Sequence, residues 1–176
     1  MKMEDLKKKI RNVPDFPIKG VVFRDITTLT RDARAFKFVI DKLYDRYKDK
    51  KIKQIVGIES RGFIFGGALA DRLECGFVPA RKPGKLPAET IEESYALEYG
   101  IASLQLHIDA IKKGEKVVIL DDLLATGGTL AATARLVERL GGKVEEIVVI
   151  VELSFLRGRE KLKDYRLYSM VDYESE

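Results

Sequence analysis

One cysteine, one histidine and five prolines are all that 176 residues contain of these types. With Cys75 alone, no intramolecular disulfide can form and no cysteine zinc site can be built. Cys75 follows the apolar stretch of a helix and reads as core. With His107 alone, histidine triads and histidine metal clusters lack members. Its neighbours offer no partner motif, so it reads as structural or exposed. No membrane-length apolar run and no signal peptide are seen, so a cytoplasmic location is expected and a membrane partner is not. Excess charge is missing too: 32 Lys and Arg stand against 28 Asp and Glu, a net +4 that does not call for nucleic acid. Two phosphate loops are absent, the Gly-Lys-Ser/Thr ending of the P-loop and the Gly-x-Gly-x-x-Gly dinucleotide fingerprint. No repeat, linker or low-complexity segment divides the chain, so residues 1–176 read as one domain.

What is present centres on Val117–Thr129, which reads Val-Val-Ile-Leu-Asp-Asp-Leu-Leu-Ala-Thr-Gly-Gly-Thr. Val117 to Leu120 is a short apolar run of the kind buried on both faces of a sheet. Asp121 and Asp122 are expected to stop it. Two carboxylates at the end of a buried strand need hydroxyl donors, a cation or water. In Ala125-Thr126-Gly127-Gly128-Thr129, the glycines allow positive φ and close backbone approach. The two threonines add hydroxyls, and the first N–H groups of the following helix have no internal partners. Together they would cradle a phosphate. Acids before such a loop point to a ligand with ribose hydroxyls beside a phosphate.

The rest of the chain alternates strand and helix, the pattern of a parallel α/β sheet. Met3, Leu6 and Ile10 predict a short amphipathic helix with Lys7, Lys8 and Lys9 on a wet face. Two prolines and a glycine argue against regular structure over Asn12–Gly20. Val21–Thr27 reads as extended. Asp32–Tyr47 reads as a helix whose apolar stripe is Phe36, Val39, Ile40, Leu43 and Tyr47. Ile52–Ile58 is a strand that ends at Glu59-Ser60-Arg61-Gly62, and a helix over Phe63–Leu73 follows. Small residues at Gly66 and Gly67 predict close packing there. Gly76–Ala80 is a strand leading into a basic loop with Arg81, Lys82 and Lys85; strand ends are where open α/β sheets bind ligands. Ala88–Gly100 is polar and weakly periodic, a candidate mobile lid. Ile101–Ile108 reads as a strand, Asp109–Gly114 as a helical turn and Val144–Val151 as a strand. A helix lined by Leu130, Ala134, Val137 and Leu140 ends at Gly141-Gly142. Glu152–Gly158 leaves the sheet, and a short helix and tail finish the chain.

Several stretches in order resemble the adenine phosphoribosyltransferase family of type I phosphoribosyltransferases. They are Pro14-Asp15-Phe16-Pro17, Gly20–Ile26, Glu59-Ser60-Arg61-Gly62-Phe63, Arg81–Pro87, Ser94–Gly100, Val117–Thr129 and Gly158–Leu162. The resemblance implies a parallel-sheet α/β fold with helices on both faces, an N-terminal hood (12–27, with 152–158) and a mobile lid. It implies that adenine and phosphoribosyl pyrophosphate (PRPP) give AMP and pyrophosphate with Mg²⁺, in a homodimer that binds no nucleic acid. By the same resemblance Asp121 and Asp122 hold the ribose, and Ala125, Thr126, Gly127, Gly128 and Thr129 hold the 5′-phosphate. Glu59, Ser60 and Arg61, around a non-proline cis peptide, form the pyrophosphate loop, helped by Arg81, Lys82 and Lys85. Val22, Phe23 and Arg24 cover adenine, with Phe23 stacked on it, the neighbouring backbone reading its edge and Leu156 on its other face. Glu98 handles the adenine proton with Tyr99 as its lid companion. No dedicated metal ligands are expected, since Mg²⁺ would arrive on PRPP. Glu59 stands where family members also carry Asp, and the charge is kept. A nucleotide-sensing regulator on the same fold would need a further recognition domain or a strong basic face.

Overall fold

The computed structural model describes residues 1–97 and 100–175. The first half runs α1 (Met3–Leu6), β1 (Arg11–Val13), β2 (Phe23–Asp25), α2 (Thr27–Arg31), α3 (Ala33–Tyr47), β3 (Gln54–Ile58), α4 (Gly62–Leu73) and β4 (Gly76–Ala80). The second half runs β5 (Thr90–Ala96), β6 (Ile101–His107), β7 (Lys116–Leu124), α5 (Gly128–Arg139), β8 (Lys143–Leu153) and β9 (Leu167–Tyr173). Short 3-10 turns fall at Lys7–Lys9, Ser154–Leu156 and Gly158–Leu162. Among the described residues no helix is long and apolar enough to cross a membrane.

The apolar runs assemble into one parallel sheet in the order β4-β3-β7-β8-β9. Val117, Val118, Ile119 and Leu120 have no exposed surface, as expected for a strand covered on both faces. One face carries α3 and α4: Val39, Leu43, Phe65 and Leu69 pack there with Ile55, Val118 and Leu120. The other carries α5 and the β5–β6 hairpin, with Leu130, Leu136, Leu104 and Leu106 against Val117, Ile119 and Val149. The stripe on α3 is as expected, buried but for a half-buried Phe36. Asp32 caps that helix, accepting from the backbone N–H of Arg34 (3.0 Å) and Ala35 (3.1 Å).

Strand order places the site. From β3 the chain moves outward to β4 in one direction and onward to β7 in the other. The order therefore reverses between β3 and β7, and the carboxyl ends of those two strands flank the crevice where such sheets bind ligands. The loops at these two ends are Glu59–Arg61 and Ala125–Thr129.

Six expectations need correction. The carboxylates do not stop their strand: β7 continues through Asp121 and Asp122 to Leu124. Its pairing with β3 ends at Leu120, while pairing with β8 continues to Leu124, so the acids occupy strand positions bare on one side. Within Ala88–Gly100, Thr90–Ala96 is strand β5, paired antiparallel with β6 in full register. Exposed and half-buried positions alternate along it, and its polar residues hide the period. Within the proline-rich segment, Arg11–Val13 pairs with Phe23–Asp25, because the prolines lie beyond the paired residues. Asp109–Gly114 forms turns and bends, without a helix. The tail supplies β9, a fifth parallel strand and one edge of the sheet. The glycine pair in α4 divides: a methyl on Gly66 would meet the Phe77 ring at 2.8 Å, whereas Gly67 has nothing within 4 Å.

Candidate active site

Three adjoining cavities follow the rim between β2, β3 and β7. The first, of about 380 Å³, is lined by Val13, Phe16, Phe23, Asp25, Thr27 and Arg61. The Phe16 and Phe23 rings meet edge to face at 5.2 Å, giving a mostly apolar cleft that suits a flat ring. The second, of about 320 Å³, is walled by Glu59, Arg61, Lys82, Tyr95, Asp121, Asp122 and Thr129, among others. The third, of about 160 Å³, is the glycine loop itself, with Asp121, Ala125, Thr126, Gly127 and Thr129 in its wall. Arg61 belongs to the first and second cavities, while Asp121 and Thr129 belong to the second and third. An apolar slot, a carboxylate pair and a glycine loop thus lie in sequence. A basic cleft of about 480 Å³ beside Lys8, Lys9, Arg11 and Arg31 lies between the N-terminal segment and the α2–α3 corner. It has no glycine loop, and Lys9 and Arg11 are already paired with Asp32 and Asp25.

The carboxylates are held in a costly state. Asp122 is 4% exposed. Its Oδ2 lies 3.0 Å from Arg61 Nε, close enough for an ion pair. The N–H is not aimed at the oxygen, which has no hydrogen-bond donor among the described residues. Burial pushes the Asp122 carboxyl above its usual range although Arg61 pulls it down. Burial pushes Asp121 well above that range, and the adjacent Asp122 charge adds to it. Asp121 Oδ1 accepts the backbone N–H of Asp122 at 2.8 Å. Both groups would gain from hydroxyl donors.

The loop conformation is set by close packing between two glycines. Gly127, at φ +79°, is the N-cap of α5, and a methyl on it would lie 2.5 Å from the Gly158 carbonyl oxygen. A methyl on Gly158 would lie 2.3 Å from the Ala125 oxygen. The segment bearing Gly158 is anchored by Arg159, which donates to both oxygens of the buried Glu152 at 2.6 and 2.7 Å. Burial raises the Glu152 carboxyl, but these hydrogen bonds prevail and hold it below its usual range.

The Glu59–Ser60 bond is a non-proline cis peptide, as expected. Arg81 is tied to Glu59 at 2.7 Å, and Lys82 reaches the second cavity. Lys85 is exposed, and its carbonyl accepts from Arg81 at 3.3 Å. Of Arg24, only the backbone is free to face the cleft, as the expected reading of the base edge by backbone requires. Its guanidinium is buried beneath the hood, donates to Asn12 at 2.7 Å and to the Ser175 carbonyl at 3.2 Å, and lies 4.1 Å from the Tyr173 ring centroid. Val22 is half-buried and Leu156 is 40% exposed, and neither lines the cleft around Phe23. Glu98 and Tyr99 lie outside the described residues. His107 is structural, its Nε2 accepting the Ala88 N–H at 3.3 Å. Cys75 is half-buried against the core. Sequence reasoning assigned no role to Tyr95, whose hydroxyl meets Thr129 at 3.1 Å, nor to Gly158 as the support of the loop. Gly158 carried a signal only as the first residue of the resembling stretch Gly158–Leu162. Among the described residues no three His, Cys, Asp or Glu gather into a set that could hold a metal ion.

Residues 25–175 match the model of the phosphoribosyl transferase domain. An adenine phosphoribosyltransferase of Desulfosudis oleivorans is 55% identical over 172 residues, which cover 98% of this chain and 99% of the relative. One from Chloroflexus aurantiacus is 52% identical, covering 98% of the chain and 100% of the relative. The crystal structure of adenine phosphoribosyltransferase from Thermoanaerobacter pseudethanolicus superposes with a TM-score of 0.94 at 52% identity, over 98% of this chain and 100% of that one. The Giardia lamblia enzyme complexed with 9-deazaadenine gives 0.93 at 38% identity, over 99% of both chains. Sequence motifs, sheet order and cavity train agree with these likenesses, and the chain belongs to the adenine phosphoribosyltransferase family.

Proposed function

We propose that this chain joins adenine to the phosphoribosyl group of PRPP, giving AMP and pyrophosphate in purine salvage. The observation that carries the reading is the train of three cavities, whose order matches base, ribose and 5′-phosphate. In this reading adenine lies against Phe23, Asp121 and Asp122 take the ribose hydroxyls, and Ala125–Thr129 takes the 5′-phosphate. Residues 1–176 act as one unit, with 12–27 and 152–158 as the hood.

The chemistry follows from charge. Breaking the C1′–pyrophosphate bond leaves positive charge on the ribose, as in glycoside cleavage. Arg61, Lys82 and Arg81 offer cations on the side where pyrophosphate departs. The hood holds adenine N9 within reach of C1′. Asp121 and Asp122 orient the sugar, and ribose hydroxyls donating to them relieve the burial of both carboxylates. Glu98 manages the adenine proton by its resemblance to the family's lid glutamate. Two carboxylates without a third ligand suit a divalent ion only when substrate oxygens complete its shell, so Mg²⁺ would enter with PRPP and help neutralise the leaving group.

The same reading makes the protein a cytoplasmic homodimer. Self-association is supported by the outer face of α4, where Ile64 is 47% exposed beside the open Gly67. The activity is tested by incubating the protein with PRPP, Mg²⁺ and each purine base and following nucleotide formation. AMP from adenine is expected; its absence refutes the reading.

A further inference from the structure

The wall behind the glycine loop is a tyrosine. Tyr95 stands on β5, and its ring underlies Gly128 so closely that a methyl there would lie 3.0 Å from Tyr95 Cδ2. Its hydroxyl oxygen accepts from Thr129 Oγ1 at 3.1 Å. The side chain lines the central cavity on one side and a cleft of about 500 Å³ between β5, α5 and residues 160–163 on the other. Tyr95 is therefore the partition between them.

The strand that carries it is fastened to the helix that begins at the loop. Glu93, two residues before Tyr95, accepts from Arg135 Nε at 2.6 Å and Arg139 at 3.0 Å. Arg139 also donates to the Glu92 carbonyl at 2.7 Å. Tyr95 and Thr129 thus sit on two elements locked together, so their hydroxyls are held in register.

A hydroxyl has one proton to donate and lone pairs that accept. Phosphate oxygens on a dianion only accept. Once the Thr129 hydroxyl donates to a phosphate oxygen it has no proton left for Tyr95. The bond between the two side chains must then run the other way, with Tyr95 donating and Thr129 accepting. Two hydroxyls bonded in such a chain polarise one another in the same direction, which strengthens the terminal bond.

We propose that Tyr95 is a positioning residue for the 5′-phosphate: its hydroxyl donates to Thr129 Oγ1 and aims the Thr129 hydroxyl at a phosphate oxygen. The proposal rests on Ala125–Thr129 being the phosphate loop.

The test is a cycle of Tyr95→Phe, Thr129→Val and the double variant, with Thr129→Ser as the hydroxyl-retaining background. Two quantities are read: the KM for PRPP with adenine saturating, and the Kd of ribose 5-phosphate by calorimetry, which needs no turnover. Tyr95→Phe keeps the ring under Gly128 and removes only the donor. It is expected to raise both constants about 3- to 10-fold, the range of one hydrogen bond. The adenine KM should stay unchanged, and kcat should fall by less than the PRPP KM rises. In the Thr129→Val background the same change should add nothing beyond about twofold; in Thr129→Ser its full effect should return. The proposal is overturned if Tyr95→Phe leaves both constants at wild-type values, or if its effect persists undiminished in Thr129→Val. If Thr129→Val itself changes neither constant, the phosphate-loop assignment falls and the proposal falls with it. Failure of the wild type to make AMP would be a separate result, because ribose 5-phosphate binding reads the relay without the reaction.

Discussion

The Gly158 carbonyl oxygen sits so close to Gly127 that Gly127 cannot carry a side chain, and Gly158 cannot carry one against the Ala125 carbonyl oxygen. Beyond the contacts at 2.5 and 2.3 Å, a methyl on Gly158 would also meet Leu124 Cδ1 at 2.7 Å. Two turns far apart in the chain are therefore pressed together at the glycine loop. Gly127 leaves room for the Gly158 backbone and Gly158 leaves room for the Ala125 backbone, so the conformation of the 125–129 loop depends on both.

Gly158→Ala is the clean test of that support, because Gly158 itself lines none of the three cavities of the train. Overpacking at a buried contact of this kind costs about 1–3 kcal/mol. The melting temperature should fall by roughly 2–4 °C for each kcal/mol. The PRPP KM should rise at least about tenfold, as expected when phosphate donors are displaced by an ångström, with the adenine KM little changed. Initial-rate kinetics and calorimetry check this; an unaltered PRPP KM would show that the loop stands without its neighbour.

Asp121→Asn should separate stability from function. The Asp121 carboxyl is held well above its usual range by burial and by the Asp122 charge. For an acid with a raised folded pKa, the folded state holds the proton more tightly than the unfolded state. Its destabilising effect is then full above the folded pKa and disappears as pH falls to the ordinary value of 3.8. The neutral amide should therefore melt at a higher temperature than wild type at neutral pH. The advantage should vanish as pH approaches 3.8, the ordinary aspartate value. Turnover should drop at least about tenfold, the loss expected when one oriented contact to the sugar is spoiled. Melting curves across pH, with kinetics at neutral pH, check both halves; a lower melting temperature at neutral pH contradicts the first.

Phe23→Ala should act on the base alone. The ring lines the apolar cleft beside Phe16 and lies 5.2 Å from the Arg61 guanidinium carbon. Losing one base–aromatic stacking contact costs about 1–3 kcal/mol, so the adenine KM should rise roughly 5- to 100-fold while PRPP binding by calorimetry stays near wild type. Equal losses for both substrates would place Phe23 in the scaffold.

Glu146→Ala probes a buried cluster near the amino end of β8. Arg46 donates to both oxygens of Glu146 at 2.6 Å, and the Tyr47 hydroxyl donates at 2.5 Å. Burial raises the Glu146 carboxyl, but the bonds from Arg46 and Tyr47 prevail and hold it low. A depressed folded pKa contributes stability above the unfolded value of 4.5, lost as pH falls through the folded pKa. Breaking a buried pair by removing one partner costs about 3–5 kcal/mol. Denaturant titration should show that loss at neutral pH and a smaller one in acid, while kcat per folded molecule is kept. A loss that does not shrink in acid would mean the carboxylate is not its source.

Much of the site could be read from the chain. The apolar run before Asp121, the glycine loop after it and the basic turn after β4 each have a local pattern that physics ties to one role. The stripe on α3 could be read for the same reason, since residues three and four apart share a helix face. Strand β5 could not, because its outward positions are polar and its inward ones are only half-buried. Strand β9 was missed as well, where the turn-rich segment before it read as the end of the fold. That the Arg24 side chain turns under the hood to Asn12 and the tail could not be read either, because those partners lie 12 and 151 residues away.

By itself the sequence determined which chemical groups exist and how each local segment bends: carboxylates after a buried strand, glycines where a loop must approach an anion, cations at strand ends. Tertiary structure decided which of these groups meet. It set β7 beyond the end of β3, which bares the acids, and placed Gly158 beneath Gly127 and Tyr95 behind Thr129. Local patterns arise from the repeat of one helix or strand. Contacts between distant segments depend on how sheets and helices close-pack, and single residues carry no periodic mark of that.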